Sequence, residues 1–274
     1  MSSRKLLLLL CLYIVSQHFT FSQVDSLILQ KFANVPSVGE VFVLGQYENN
    51  CASASFLNKS YVSASFHNRF LLKELENEAV SGILRFHQNA FVFQVSHFGY
   101  AKYGDLTVAG AYARSFGKHI AIAARFYYSL LHAADYPSVH SVTFDVSLYA
   151  PIHDKVGIGF SVYNPARLKY GIVGKTMMPL RFYFNIDYRI SKNLLIYSQV
   201  EKELKSRLGV GVGAVFRINK LFLTSYVQFP APKLSIDAEL WWRHFLFGFG
   251  CEYQLAVGFV PKITLHYSFE SRSK

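Results

Sequence analysis

Period-two alternation of apolar and polar residues dominates the chain after residue 58. In the clearest segment, from Leu180 to Ile190, apolar side chains occupy the even positions, and the odd positions are mostly polar or charged. A strand points successive side chains to opposite faces, whereas a helix would mix the two sets. The same alternation recurs at 142–149 and 234–242. The pattern therefore predicts an all-β protein whose strands each have one apolar face.

Applied to the whole chain, the alternation predicts about fourteen antiparallel strands. Most are ten to thirteen residues long, the length of a tilted strand that crosses a membrane, and an even strand number is typical of a bacterial transmembrane β-barrel. The predicted strands are 60–72, 79–88, 90–98, 104–116, 118–130, 139–150, 154–163, 180–190, 193–203, 207–217, 220–229, 233–242, 244–254 and 262–270.

The connections alternate in length. Every second one is tight, at 88–89, 117, 151–153, 191–192, 218–219 and 243. The intervening ones are mostly longer, at 73–78, 99–103, 131–138, 164–179, 204–206, 230–232 and 255–261. An outer-membrane barrel has short periplasmic turns and longer outer loops, whereas a soluble β-sandwich, the alternative, has no reason to sort its loops this way. We therefore predict a bacterial outer-membrane barrel over residues 59–274.

The first 22 residues have the layout of a secretory signal peptide. Arg4 and Lys5 precede a ten-residue apolar stretch at 6–15, and small residues at Thr20 and Ser22 predict cleavage before Gln23. Residues 23–58 then form either a hatch folded into the lumen or a periplasmic segment, since a barrel of this width needs filling or encloses a channel.

Composition agrees with a membrane barrel. The chain is 51% hydrophobic and only 16% charged, yet outside residues 1–22 it has no apolar run of the ~18 residues that a membrane helix needs. The formal net charge of +11 comes from dispersed Lys and Arg, which favours contact with outer-membrane lipid and predicts no nucleic-acid partner. Of the two cysteines after the signal peptide, Cys251 is predicted on the lipid face and Cys51 on the lumen side, so they should not pair.

Several short motifs resemble one family of barrel proteins. The strand at 154–163 runs into Asn164-Pro165, and a glycine-rich strand at 209–213 and the ending Leu265-His266-Tyr267-Ser268-Phe269 follow later. These features resemble the PorV/PorQ family of outer-membrane proteins, which is similar to the FadL-like fatty acid transporters. The resemblance implies a fourteen-stranded barrel with an N-terminal hatch in a Bacteroidota-type outer membrane. It also implies either type IX secretion or passage of apolar molecules. The hatch match is partial, because Lys59 stands where the family usually has proline.

Enzyme and cofactor motifs are absent from the sequence. There is no His-Glu-x-x-His, no paired Cys-x-x-Cys and no Gly-x-Ser-x-Gly. The glycines at 209, 211 and 213 have the spacing of a dinucleotide loop, but they lie inside a predicted strand, where small residues beside bulky neighbours explain them better. We predict a non-enzymatic protein without cofactor or metal.

Two groups of residues are candidates for function. The first is a polar cluster on the predicted lumen face, which either holds the hatch and hydrates the lumen or forms a ligand or ion path: Arg181, Asn185, Asp187, Arg189, Glu201, Asp237 and Glu239. The second is a set on the longest outer loop, predicted to contact a partner: Arg167, Lys169, Tyr170 and Lys175. Long loops are often functional.

Aromatic residues near predicted strand ends are expected to form girdles at the two membrane interfaces. An alternative is a sugar-binding platform. The residues are Tyr100, Tyr103, Tyr127, Tyr128, Tyr136, Trp241 and Trp242.

Three functions remain open. The first hypothesis is a docking protein that binds secretion-system components or exported proteins through its outer loops. The second is a passive, FadL-like channel for hydrophobic small molecules, which predicts an apolar pocket in the lumen. The third, and weakest, is a barrel-embedded hydrolase with an inward Ser-His pair.

Overall fold

Fourteen antiparallel strands form a closed barrel in the computed structural model, which describes residues 42, 49–69, 72–171, 177–204, 206–255 and 258–269. The strands are β1 (Ser60–Asn68), β2 (Glu76–Phe86), β3 (Asn89–Tyr100), β4 (Tyr103–Phe116), β5 (Ile120–Ala133), β6 (Val139–His153), β7 (Val156–Tyr163), β8 (Arg181–Arg189), β9 (Leu194–Glu203), β10 (Gly209–Ile218), β11 (Leu221–Phe229), β12 (Lys233–Trp242), β13 (Phe245–Gln254) and β14 (Gly258–Phe269). Two 3₁₀ helices, η1 (Cys51–Phe56) and η2 (Lys73–Leu75), precede β1 and β2.

Each strand pairs with its neighbours in sequence, and β14 returns to pair with β1. The closing register places Ser60 opposite Phe269 and His67 opposite Lys262. Closure leaves the sheet without an edge, so every strand has partners on both sides. The predicted fold class is therefore confirmed, including the number of strands. Within the described residues, no helix is long and apolar enough to span a membrane.

Side chains alternate between the lumen and the outer surface as the sequence pattern predicts. In β8, Asn185 and Asp187 are buried inside the barrel, whereas Phe184 and Ile186 are exposed on its outside. Large apolar residues cover the outer surface of the other strands in the same phase. Backbone can cross a bilayer in this form because the closed ladder satisfies its hydrogen bonds and the apolar face meets lipid. The protein is thus an outer-membrane barrel of the bacterial type.

The turns at one end of the barrel are short. Two-residue turns join β2 to β3, β6 to β7, β10 to β11 and β12 to β13. His87, Asn219 and Arg243 adopt positive φ values of 52°, 55° and 57° in three of these turns, as tight hairpins require. We assign this end to the periplasm and call it the turn side, and the opposite end the loop side.

Two details of the sequence prediction were wrong. The connection expected over 99–103 is a two-residue turn, because β3 extends to Tyr100 and β4 begins at Tyr103. Gly99 makes this possible, since its φ is +111° and a Cβ there would overlap the Tyr103 carbonyl. In the expected aromatic girdle, Tyr127 and Trp241 instead point into the lumen and are buried.

The segment 49–57, which we call the plug, lies inside the barrel. Its helix η1 is enclosed by β2–β6. This part of the predicted 23–58 segment therefore lies in the lumen, against β2–β6. The signal peptide 1–22 and most of 23–48 lie outside the described residues.

Candidate functional site

The plug packs against a wall of small side chains. Cys51, Ala52 and Ala54 are fully buried in η1. The inward positions of β4 and β5 that face them are alanines: Ala111, Ala113, Ala121 and Ala123. Larger side chains at these four positions would fill the space that the plug occupies, so the alanines make the lumen wide enough on this side.

Hydrogen bonds hold the plug to β6 and β7. The amide of Asn50 donates to the Leu148 carbonyl at 2.7 Å and its oxygen caps η1 by accepting from Ala52 N–H at 3.2 Å. Ser147 Oγ also accepts from Ala52 N–H at 3.2 Å, and Ser161 donates to the Asn49 carbonyl. Hydrogen bonds of this kind can exchange for hydrogen bonds to water.

The far end of the plug is held by β2. Arg85 Nε donates to the Leu57 carbonyl at 2.7 Å. Phe56 meets Tyr149 edge to face, with ring centroids 5.8 Å apart. The plug is thus fixed at both ends, on the half of the barrel formed by β2–β7.

All seven residues of the predicted polar cluster face the lumen, in two separate groups. In the first, Arg181 forms an ion pair with Glu203 at 3.1 Å and lies over the Tyr163 ring, 5.7 Å from its centroid. Glu201 accepts a long hydrogen bond from Tyr183 at 3.5 Å. Farther toward the turn side of β8 and β9, Asp187 accepts from Tyr149 at 3.0 Å, Asn185 is buried, and Arg189 is half-buried at the strand end.

The second group, Asp237 and Glu239, belongs to an ion-pair network on β12–β14. Lys262 pairs with Asp237, and Lys233 pairs with Glu252 at 3.1 Å. These four side chains are at most 8% exposed, so each charge depends on its partner for compensation. Glu239 is buried on the same face of β12.

A third buried pair lies near the plug. Arg125 and Asp145, opposite each other on β5 and β6, are joined at 2.7 Å. Tyr127 donates to the same Asp145 oxygen at 2.5 Å. The Tyr127 ring also meets Tyr163 edge to face at 5.4 Å. Cations and anions therefore alternate around the lumen wall rather than forming a path of one sign.

Inward glycines let side chains of next-nearest strands meet. On β13, Gly250 separates Asp237 of β12 from Lys262 of β14, and a Cβ at Gly250 would overlap the Asp237 carboxylate. On β7, Gly159 leaves room for the amides of Asn50 and Asn185. In both strands, the missing glycine side chain leaves space in which polar side chains from other elements lie.

The glycine-rich strand β10 holds an aromatic patch. The rings of Tyr197 on β9 and Tyr226 on β11 stack over Gly211 and Gly213. The rings are nearly parallel, and their centroids are 6.0 Å apart. Phe42 adds a third ring 5.1 Å from Tyr197. With the inward residues Leu195, Val215, Phe222, Trp241 and Leu246, these rings make the turn side of the β9–β13 wall apolar.

Asn164 organises the longest outer loop. It has a positive φ of 55° and no exposed surface, and its amide donates to the Met178 carbonyl at 3.0 Å while its oxygen accepts from Leu168 N–H at 2.8 Å. The asparagine of the Asn-Pro step after β7 thus fixes the start of the loop through its side-chain hydrogen bonds.

Only part of the predicted partner contact lies on an open surface. Arg167 and Lys169 are exposed. Tyr170 instead folds back toward the barrel and is half-buried, and burial raises the pKa of its hydroxyl to about 12. Contact of Arg167, Lys169 and Tyr170 with a partner stays a prediction. Lys175 lies outside the described residues.

Three residues of the site, Lys233, Lys262 and Asn50, were not among those predicted from the sequence. Lys233 and Lys262 follow the inward phase of their strands, so alternation alone could have identified them. Asn50 could not be found in this way, because it precedes the first strand and its partners are backbone carbonyls of β6 and β7.

Comparison with known proteins supports the fold. No family model and no curated protein matches the chain. Among solved structures, a monoaromatic hydrocarbon channel, CymD, is similar with a TM-score of 0.62 and 10% identity, over 89% of this chain and 100% of CymD. TodX, a toluene transporter of P. putida, is similar with a TM-score of 0.63 and 7% identity, over 83% of this chain and 94% of TodX. At these identities the likeness is one of fold.

Proposed function

We propose that this protein is an outer-membrane channel for small apolar molecules, gated by its plug. The observation that carries the proposal is that the plug lies inside the lumen and is held to β2–β7 by reversible contacts. Asn50, Ser161 and Arg85 donate hydrogen bonds that hold it in place, Ser147 accepts one from Ala52 N–H, and small side chains pack against it. A shift of the plug would exchange these bonds for bonds to water at modest cost.

The aromatic patch supports apolar solutes as the class. Ligand sites for such molecules are mostly apolar and aromatic with few polar groups. Tyr197 and Tyr226 lie on the β9–β13 wall, across from the plug, and the Phe42 ring packs against Tyr197. CymD and TodX, which share the fold, are described as a hydrocarbon channel and a toluene transporter. The paired charges of the loop side would keep its mouth hydrated without holding a charged solute strongly.

Locking the plug tests this function. Ala52 N–H lies 3.2 Å from Ser147 Oγ, which brings the two Cα atoms close to the ~4.4–6.8 Å range of a disulfide. The variant is Ala52→Cys with Ser147→Cys, in a background with Cys51→Ser and Cys251→Ser. Initial uptake of radiolabelled toluene is measured in intact cells that carry the variant in their outer membrane.

We expect uptake to fall to the level of cells without the protein when the disulfide forms, and to recover after reduction. The two single-cysteine variants in the same background are the controls, since they cannot cross-link. Equal uptake in the oxidised and reduced double variant would rule out a plug-gated channel.

A further inference from the structure

Positive charge is concentrated at the turn side of the barrel. In its connections and within two residues of its strand ends, Lys and Arg far outnumber carboxylates. The exposed cations, which we call the basic rim, are Arg114, Lys118, Lys155, Lys192, Lys220 and Arg243. Half-buried cations add to them: Lys59, Arg85, Arg189 and Arg217. The described carboxylates of this end are Asp154, exposed in a turn, and Asp187, buried in the lumen.

The loop side, delimited in the same way, is nearly neutral. Its described cations are Arg69, Lys73, Lys102, Arg167, Lys169, Arg181, Lys202, Arg207 and Lys233. Its described carboxylates are Glu74, Glu76, Glu78, Asp105, Asp135, Glu201, Glu203 and Glu252. Cations and carboxylates therefore nearly balance there, and most of the positive excess of the described residues lies on the turn side.

Two arginines of the basic rim lie at the border of the apolar outer surface. The Arg114 guanidinium is 5.7 Å from the centroid of the Phe116 ring, and the Arg243 guanidinium is 5.5 Å from that of Trp242. Both rings are exposed on the outside of the barrel. Because aromatic rings near strand ends mark the interface between acyl chains and headgroups, the two guanidiniums lie at the depth of the lipid phosphates.

The distribution of the basic rim favours lipid over a protein as its partner. Every turn of the turn side from β4–β5 to β12–β13 carries one of its residues, so the cations follow much of the circumference. A docked protein would cover one arc, whereas headgroups surround the barrel. The leaflet at this end is the periplasmic one, which consists of phospholipid, and Lys and Arg near a membrane surface attract its anionic members.

We propose that the basic rim binds anionic phospholipid of the periplasmic leaflet, with the lipid phosphates at Arg114, Arg243 and the turn lysines. Phosphatidylglycerol is then enriched over phosphatidylethanolamine around the turn side, and the loop side has no such preference. The rim lies outside the lumen, so this inference does not rest on the channel proposal.

Trp242 can report which headgroups gather at the basic rim, because it is 56% exposed and lies beside Arg243. The full-length barrel with Trp241→Phe is placed in bilayers of equal parts phosphatidylglycerol and phosphatidylethanolamine, with the acyl chains of one lipid at a time brominated. The ratio of the two quenching efficiencies gives the relative occupancy at Trp242. We expect a preference for phosphatidylglycerol of about two- to fivefold at low salt. It should vanish at 1 M salt, where charges are screened beyond ~3 Å. If Trp241→Phe does not fold, the unchanged chain serves, since Trp241 points into the lumen.

Removing charge beside the reporter tests the assignment to the basic rim. Lys220→Gln with Arg243→Asn should bring the preference close to one. Both cations are near the reporter, since the Lys220 carbonyl accepts from Trp241 N–H at 2.8 Å, and asparagine tolerates the positive φ of Arg243. Lys202→Gln with Arg207→Gln removes the same charge from exposed positions of the loop side and should leave the preference unchanged.

A preference that survives in the rim variant, or that falls equally in both double variants, contradicts the proposal. Equal quenching by the two lipids in the Trp241→Phe barrel would overturn it as well, and the basic rim would then fit an acidic periplasmic protein instead.

Discussion

A glycine at an inward position has no side chain, so the inward side chains of the two flanking strands can meet across it. Gly250 illustrates this at the scale of single residues, since Lys262 and Asp237 meet across the strand that carries it. The sequence predicts that Asp237 and Gly250 face the lumen. It does not predict that Asp237 pairs with Lys262, because that pair joins two strands that are not neighbours.

Replacing this glycine gives the first prediction. Gly250→Ala should lower the free energy of unfolding by about 3 kcal/mol, because the new Cβ separates a buried ion pair and leaves both charges uncompensated. Gly110→Ala is the control, since Gly110 faces outward and a Cβ added there would have no atom within 4 Å; it should change stability by less than ~0.5 kcal/mol. Unfolding in guanidinium chloride, followed by tryptophan fluorescence, measures both. Similar values for the two variants would contradict the role given to Gly250.

At the scale of elements, the sequence predicted the strands well and the plug incompletely. Alternation identifies β8 and β12 because each has one apolar face against lipid. The plug has no such periodicity, and its hydrogen bonds to β6 and β7 each join a side chain to a backbone group, which leaves no pattern in the sequence. The tight turn after Tyr100 was missed because it depends on the positive φ of Gly99.

The two cysteines lie on two different elements, Cys51 on η1 and Cys251 on β13. The structure confirms that they do not pair, since Cys51 is buried in the plug and Cys251 is exposed on the outer face. Burial raises the pKa of the Cys51 thiol to about 12. Because only the thiolate reacts, the folded plug should keep Cys51 inert at a pH where a free thiol is largely ionised.

Alkylation rates give the second prediction. At pH 9, a water-soluble maleimide should label Cys51 at least ~100-fold more slowly in the folded barrel than in denaturant, and the folded rate should rise with pH. Cys251→Ser isolates the Cys51 signal, and Cys51→Ser isolates Cys251, which should react with a lipid-soluble maleimide in the folded barrel. Fast labelling of folded Cys51 by the water-soluble reagent would show that the plug is not packed as described.

The whole molecule separates an apolar exterior from a mostly polar interior, and adjacent residues on one strand show this separation. Trp241 is 3% exposed inside the barrel, whereas Trp242 is 56% exposed on its outside. The chain has two tryptophans, so each can be observed alone in a variant that lacks the other.

Docking of secretion components through the outer loops stays a prediction, which cross-linking in the native membrane can test.

Lipid quenching gives the third prediction. In bilayers of brominated lipid, Trp241→Phe should lose much of its fluorescence, because its remaining Trp242 faces the acyl chains. Trp242→Phe should be quenched far less, since its remaining Trp241 points into the lumen. Equal quenching of the two variants would mean that the strand phase, and with it the assignment of the lumen face, is wrong.

Most contacts of the plug fall on β2–β7, so they can form before the second half of the sheet exists. The pairing of Ser60 with Phe269 joins the two ends of the barrel sequence, and the entropy cost of loop closure makes such distant contacts late to form. We therefore expect the plug to dock on an open, curved sheet and to be enclosed when β14 reaches β1. On this expectation, the plug supports the first strands while they pair during biogenesis, and pairing of β14 with β1 is the last step of assembly.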